Sequence, residues 1–313
     1  MTGTPAPSPD RTRAPQPRPI RPFDFPSVAT ATLPNGLEIR TARMPRVPLA
    51  TLTLILDAGE SHLPDHRAGL AVLSGESLDG GTSRITGPEL AEAFEAMGTG
   101  LAVRTGWDST TLSVTCLADR LPEAGALLAE TLLDPAFPSK EVERFRNQRL
   151  AVIRQRRMDP GSLADDAATH FFYDDTSPYH RPLAGTEASV GTLGPDDIRA
   201  FVGERFRPSS AGMIAVGDVE SSEMEALARE HFGDWSAPPI PKDEIELRTR
   251  FEGRRVVVVD RPGSVQSEIR IGHPGVSRST PLFFPLKVFN AVLGGAFTSR
   301  LMLHLREERG FTY

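Results

Sequence analysis

The chain has 313 residues and a formal net charge of −6 at pH 7, a length that suits about two domains. Because this acidic balance provides no basic surface, it argues against nucleic acid as a partner. No apolar run approaches the ~20 residues that a membrane-spanning helix needs, so no membrane is expected either. The single cysteine, Cys116, excludes an internal disulfide and a thiolate zinc cluster.

The N-terminal segment, residues 1–26, is rich in proline and arginine and lacks the apolar core of a secretory signal. Because the segment has almost nothing to bury, we expect a disordered leader. The missing signal and the lone cysteine together favour a cytoplasmic location.

Residues 27–235 are predicted to form the first domain. Two alternating runs flank the turn Pro34-Asn35-Gly36, which is typical of a hairpin. Further strands are predicted at 49–56 and 211–216, and a second hairpin at 101–117. Apolar spacing and capping residues predict helices over 86–97, 121–133, 139–158, a shorter segment ending at Phe172, 196–206 and 222–232. This order indicates an α+β domain with a largely antiparallel sheet covered on one face by helices.

The second half begins after a linker. Residues 236–250 contain Pro238, Pro239 and Pro241 and are interpreted as the link between domains. Residues 251–313 form the second predicted domain. Its expected elements are two strands and two helices, at 254–260, 268–273, 281–293 and 298–309. These elements are fewer than those of the first half, so we expect an incomplete second domain.

The stretch 69–82 is predicted to be a helix that runs into a Gly-Gly turn, and several runs around it carry a family resemblance. They are Leu33-Pro34-Asn35-Gly36-Leu37, Ala58-Gly59, Ala68-Gly69-Leu70-Ala71, Gly81-Thr82, Leu150 to Gln155 with Asp159-Pro160, Pro178-Tyr179-His180-Arg181-Pro182, and Thr298 to Leu301 with Leu305 to Tyr313. In order and spacing these runs resemble the insulinase/pitrilysin-type zinc peptidases, the inverzincins, in their processing-peptidase-like form. The resemblance implies two domains, each a mainly antiparallel sheet covered by helices.

An active member of that family carries H-x-x-E-H on the first helix. The two histidines bind zinc, the glutamate is the general base, and a further glutamate on the long helix completes the ligands. Aligned on the flanking runs, these four positions fall on Val72, Gly75, Glu76 and Val152. Valine and glycine offer no donor atom, and one carboxylate does not hold zinc. The resemblance therefore implies a chain without a metal or other cofactor, whose zinc is expected in a partner subunit.

Histidines elsewhere in the chain give only weak support for a zinc site at another position. His62 and His66 are four residues apart, but Pro64 splits their loop, so helical spacing does not apply. We interpret both as solvated loop residues. His170 and His180 are interpreted as surface or packing residues.

The second candidate site is Arg306 with Tyr313. In the family, an arginine and a tyrosine at this spacing come from the second half and face the zinc across a cavity. The resemblance implies that they bind substrate backbone and stabilise the carbonyl oxygen during attack, which suits the fixed donors of a guanidinium and a phenol. The alternative stays open that Arg306 is one charge on a solvated helix face and Tyr313 an ordinary strand aromatic.

Together, these expectations predict that the chain is the non-zinc subunit of a heterodimeric peptidase. Its partner would be a zinc-bearing homologous subunit, and its substrates would be peptides or unfolded protein segments. Two alternatives stay open. One is a scaffold subunit, like the core subunits of the respiratory cytochrome bc1 complex that resemble this family. The other is a metal-free module that binds extended peptides at a sheet edge.

Overall fold

The structure is a computed structural model that describes residues 22–240 and 247–312, together with Thr12, Pro19 and Ile245. Most of the predicted leader, five residues of the predicted linker (241–244 and 246) and Tyr313 lie outside the described residues. In the described part, no helix combines the length and the apolar character that crossing a bilayer requires.

A six-stranded sheet forms the centre of the first half, with the strand order β1-β2-β6-β3-β5-β4. The strands are β1 Ala29–Thr32, β2 Glu38–Arg43, β3 Leu49–Leu56, β4 Ala102–Thr105, β5 Thr110–Leu117 and β6 Ala211–Gly217. The β2–β6 pair is parallel, and the other four neighbouring pairs are antiparallel. Both predicted hairpins and the largely antiparallel sheet are therefore confirmed.

Nine α-helices accompany this sheet in the described part of the chain. They are α1 Leu70–Ser77, α2 Gly87–Ala96, α3 Leu121–Leu133, α4 Ser139–Met158, α5 Pro160–Phe172, α6 Glu187–Val190, α7 Pro195–Arg205, α8 Ser221–Phe232 and α9 Phe283–Asn290. Short 3₁₀ turns lie at Glu60–His62, Asp65–Arg67, Leu78–Gly80, Ala118–Arg120, Pro178–His180 and Pro208–Ser210. Two π-helical segments follow α9, at Ala291–Gly295 and Met302–Glu308.

The core lies between the sheet and the helices on one of its faces. Along β3, Leu52 and Leu54 are fully buried, whereas the alternate residues Thr51 and Thr53 are half-buried on the other face. Helices α3 and α8 pack against β5 and β2, and α1 packs against β4. The period of two along the strands thus sets which face receives the helices.

The second half departs from prediction in its strands. The runs 254–260 and 268–273 form no strand, and Val256 and Ile271 are 85% and 95% exposed. A strand needs a neighbour for its backbone hydrogen bonds, and no described segment pairs with either run. The strand predictions are therefore wrong, while the α+β class and the partial two-domain fold are confirmed. The domain boundaries stay predictions.

Candidate functional site

Helix α1 carries three of the four predicted zinc-motif positions, two for ligands and one for the general base, and a buried carboxylate fixes its N-terminus. Glu60 is fully buried. Its Oε1 accepts hydrogen bonds from the backbone N–H groups of Ala71 at 2.9 Å and Val72 at 3.3 Å, and its Oε2 accepts one from Gly69 at 3.1 Å. A carboxylate placed there satisfies the free amides of the first helical turn and matches the positive end of the helix dipole.

Arg181 completes this anchor from the loop after Pro178–His180. Its Nη1 donates to Glu60 Oε2 at 3.2 Å, and its Nη2 donates to the carbonyl oxygens of Glu60 and Leu63 at 3.1 and 2.7 Å. Burial raises the pKa of the Glu60 carboxyl, while the Gly69 amide and the Arg181 charge oppose that shift. The sequence analysis missed this pair. The glutamate before the helix and the arginine between two prolines were the available signals.

The position of the family's general base is closed to any side chain. A Cβ atom added at Gly75 would lie 2.5 Å from Thr105 Oγ1 and 3.4 Å from Val103 Cγ1, both on β4. The first of these distances is too short for two non-bonded atoms, so a side chain at this position would force Thr105 to change rotamer, with the loss of its 3.0 Å hydrogen bond to Thr110 Oγ1, or β4 to move. The neighbouring ligand position, Val72, is 8% exposed and offers no donor.

Glu76, at the second histidine position, is held by a cation. Arg149 on α4 donates from Nε to Glu76 Oε2 at 3.2 Å, and its Nη2 pairs with the other carboxylate oxygen. Desolvation lowers the pKa of Arg149. Arg149 lies three residues before Val152, so the helix expected to supply the third ligand presents a positive charge to this site. A fixed guanidinium beside the only carboxylate opposes the binding of a divalent cation.

These residues do not fit zinc. Val152 is 42% exposed and has no donor atom. In the described residues, no group of three or more histidine, cysteine or acidic side chains is arranged to hold a metal ion.

The loop histidines behave differently from one another. His66 is exposed, as expected. His62 corrects the prediction of a solvated residue, because its side chain is only 8% exposed and its Nε2 lies 2.9 Å from Asp57 Oδ1. His180 is a packing residue, with its Nε2 3.4 Å from Asp65 Oδ2.

Arg306 lies in the π-helical segment Met302–Glu308, away from the residues of α1. Its guanidinium carbon is 4.9 Å from the centroid of the Phe297 ring, and its Nε is 3.8 Å from Glu307 Oε1. Within the described part of the chain, these contacts do not bring it to any of the four ligand positions. Tyr313, its expected companion, lies outside the described residues.

Strand β4 borders the site and is an edge strand of the sheet. It pairs with β5 on one side, and no other described strand pairs with it. Just beyond β4, the carbonyl oxygens of Gly106 and Trp107 accept the N–H groups of Glu60 and Ser61 at 3.1 and 2.8 Å. The free side of β4 offers backbone donors and acceptors that an extended peptide can pair with.

Two family models match the chain in tandem. Residues 39–187 match the insulinase family, peptidase family M16, and residues 192–313 match the peptidase M16 inactive domain. The chain belongs to the M16 insulinase family. The predicted resemblance to this family is thereby confirmed, whereas the placement of the H-x-x-E-H positions on Val72, Gly75 and Glu76 stays a prediction.

Relatives of this M16 chain include bacterial and eukaryotic proteins. An uncharacterised zinc protease of Mycobacterium leprae is 29% identical over 292 residues, which cover 91% of this chain and 64% of the relative. One of Streptomyces coelicolor is 27% identical, with 92% and 63% covered. A probable mitochondrial-processing peptidase subunit beta of Schizosaccharomyces pombe is 25% identical, with 86% and 59% covered. The chain therefore spans a little less than two thirds of the length of these relatives.

Solved structures show the same fold. The peptidase M16 inactive domain from Pseudomonas fluorescens superposes with a TM-score of 0.78 at 24% identity, covering 92% of this chain and 69% of that chain. A protease from Helicobacter pylori gives a TM-score of 0.81 at 19% identity, covering 92% and 70%. The architecture is thus that of M16 peptidases.

Proposed function

We propose that this chain is the non-zinc subunit of a two-subunit M16 peptidase whose partner carries an intact H-x-x-E-H. The proposal rests on the residues that occupy the predicted zinc-motif positions in a chain that has the M16 fold. The base position at Gly75 is closed by Thr105, and Glu76 is paired with Arg149. The relatives, which include zinc proteases and a probable processing-peptidase subunit, support peptide hydrolysis as the shared activity.

In this proposal Arg306 and Tyr313 bind the substrate backbone and stabilise the developing oxyanion in the partner's active site. The placement of Arg306 supports a binding role, because its side chain is 34% exposed. Its stacking on Phe297 restricts the orientation of the guanidinium. An oriented guanidinium loses less conformational freedom when it binds a carbonyl or carboxylate oxygen.

Co-expression with a zinc-bearing M16 partner tests the proposal. We expect the isolated chain to cleave no unfolded peptide and the co-purified pair to cleave it. Arg306→Ala in this chain should lower the turnover of the pair by about 10²-fold, the usual effect of losing one oxyanion donor. The matched control is Arg309→Ala, which removes an exposed arginine three residues away and should leave turnover unchanged.

The same experiment separates the alternatives. Full turnover by a pair that carries both Arg306→Ala and Tyr313→Phe would reduce this chain to a scaffold. The free side of β4 favours the other alternative, a peptide-binding module. In that case the isolated chain would bind a fluorescent extended peptide in the absence of any zinc-bearing subunit.

A further inference from the structure

A groove with an apolar floor lies between α3 and α8. Its volume is about 420 Å³. Its floor is made by Leu121, Val219, Met224 and Leu227, each less than 10% exposed. The groove therefore offers a small apolar surface recessed between two helices.

The rim of the groove is acidic. Four carboxylates line it, from Asp119, Asp218, Glu223 and Glu230. Glu223 Oε2 accepts the backbone N–H of Glu220 at 3.0 Å. Among the described residues, no arginine, lysine or histidine forms an ion pair with any of the four. Two arginines near the rim are paired with other carboxylates, Arg43 with Glu220 at 2.6 Å and Arg120 with Glu123 at 3.2 Å. His231 also lines the groove, and Arg229 precedes Glu230 on α8. The residues that line the groove thus include four carboxylates and no arginine or lysine.

The groove and the candidate site lie at opposite ends of the sheet. Asp119 and Asp218 lie just beyond the last residues of β5 and β6. The start of β1 lies at that same end of the sheet. Ala29 of β1 is opposite Thr41 of β2, and the two β2 residues after Thr41 pair with Val216 and Gly217 at the end of β6. Thr105, which closes the base position, lies at the other end. The chain therefore enters the sheet beside the groove.

The segment that precedes β1 has the opposite charge. Residues 11–21 contain four arginines and no acidic residue, with Ile20 near the end. The arginines lie outside the described residues, and the two described members of the segment, Thr12 and Pro19, are exposed.

The connecting chain is long enough for this segment to reach the groove. Strands β1 and β6 are separated by β2, so their ends are about 10 Å apart at the usual spacing of strands. Residues 22–28 span about 23 Å when extended. Attachment to the same molecule also gives the segment an effective concentration in the millimolar range.

We propose that the arginine-rich segment 11–21 binds in the groove between α3 and α8 of its own molecule. The arginines pair with the four rim carboxylates, and Ile20 contacts the apolar floor. Opposite charges on the segment and the rim set the register of binding.

A labelled peptide of residues 11–21 provides the test. The acceptor is the full chain with Arg11→Gln, Arg13→Gln, Arg18→Gln and Arg21→Gln, whose groove has lost its own ligand. Fluorescence anisotropy should show saturable binding that weakens as salt rises above about 0.15 M. The unmodified chain should bind the peptide at least about tenfold more weakly, because its own segment competes.

Charge reversal locates the binding site. Adding Asp218→Lys and Glu230→Lys to the acceptor should weaken peptide binding at least about tenfold. The matched control adds Glu92→Lys and Glu95→Lys, two exposed glutamates on α2, and should leave the affinity unchanged. Circular dichroism confirms that both sets fold alike. Equal affinity in the two sets would overturn the proposal.

Limited trypsin digestion of the unmodified chain gives a second readout. Cleavage after Arg11 and Arg13 should be slower than in the chain carrying Asp218→Lys and Glu230→Lys. Protection that does not change with protein concentration supports binding within one molecule. Protection that disappears on dilution would assign the segment to the groove of a second copy and overturn the proposal as stated.

Discussion

Two ion pairs bracket α1, and they differ in burial. At the N-terminal end, the side chains of Glu60 and Arg181 are 0% and 5% exposed. At the C-terminal end, those of Glu76 and Arg149 are 35% and 16% exposed. The first pair binds the backbone of the helix, whereas the second joins Glu76, at a predicted zinc-motif position, to Arg149 on α4.

This difference indicates how α1 can keep its place in the fold whatever side chains stand at the four predicted positions. The contacts that position α1 come from the buried pair, and they involve none of the four ligand side chains. Val72 lies in the first turn of α1 and gives only its backbone N–H to Glu60, whereas Gly75 and Glu76 lie in the second half of the helix and Val152 lies on α4. The anchoring of α1 therefore does not depend on the side chains at the four positions.

The largest expected effect comes from breaking the buried pair. Arg181→Met should destabilise the chain by about 3–5 kcal/mol, because it leaves the Glu60 carboxylate buried without its cation. Urea unfolding followed by circular dichroism measures the change. Arg154→Met, which removes one arginine from the exposed contact with Glu187, is the matched control and should change stability little. Equal effects of the two variants would contradict the structural role of Arg181.

A smaller effect is expected from the closed base position. Gly75→Ala should cost about 1–3 kcal/mol, because the added Cβ meets Thr105 Oγ1. Gly203→Ala on α7 is the control, since no atom lies within 4 Å of the added Cβ there. Combining Gly75→Ala with Thr105→Ala should recover part of the loss, and a purely additive double mutant would contradict the contact.

The pH dependence of stability also reports on the buried pair. Because burial raises the pKa of Glu60 above its ordinary value of 4.5 in the folded state, the folded chain binds this proton more tightly than the unfolded chain. The stability that the group contributes is present below pH 4.5 and is lost as pH rises through the folded pKa. Glu60→Gln should remove this component, which a comparison of unfolding free energies across that range would detect. An unchanged pH profile would show that the carboxyl is not desolvated.

The smallest effect is expected at the exposed end of α1. Glu76→Gln should cost about 1 kcal/mol or less, because the pair with Arg149 is partly solvated. A double-mutant cycle with Arg149→Met measures the coupling. A coupling as large as that between Glu60 and Arg181 would remove the distinction between the two ends of the helix.

Local patterns predicted the strands and the long helices of the first half, but not the short helix α6. The helices predicted at 121–133 and 139–158 are the observed α3 and α4, because apolar spacing and end residues are local properties of the sequence. The capping box was also visible, and the backbone N–H of Thr86 donates to Glu89 at 2.8 Å. The four ligand positions could be located because short runs with recognisable spacing flank them.

Contacts between distant segments could not be predicted in the same way. Glu60 and Arg181 are 121 residues apart, and no periodic pattern links a turn to a distant loop. Thr105 meets Gly75 only because β4 packs on α1. The valine-rich run at 254–260 has strand composition, yet a strand depends on a neighbouring strand as well as on its own residues. The missed contacts and the wrong strand predictions therefore have the same cause, since both depend on segments that are distant in the sequence.

The zinc content of the isolated chain tests most directly the claim that its peptidase site has lost the metal. The purified chain is dialysed against zinc and then against metal-free buffer, and its zinc is measured by mass spectrometry beside the Glu76→Ala variant. We expect both proteins to retain far less than stoichiometric zinc, because the positions offer a single, already paired carboxylate. Stoichiometric zinc on the unmodified chain that Glu76→Ala removes would contradict this claim.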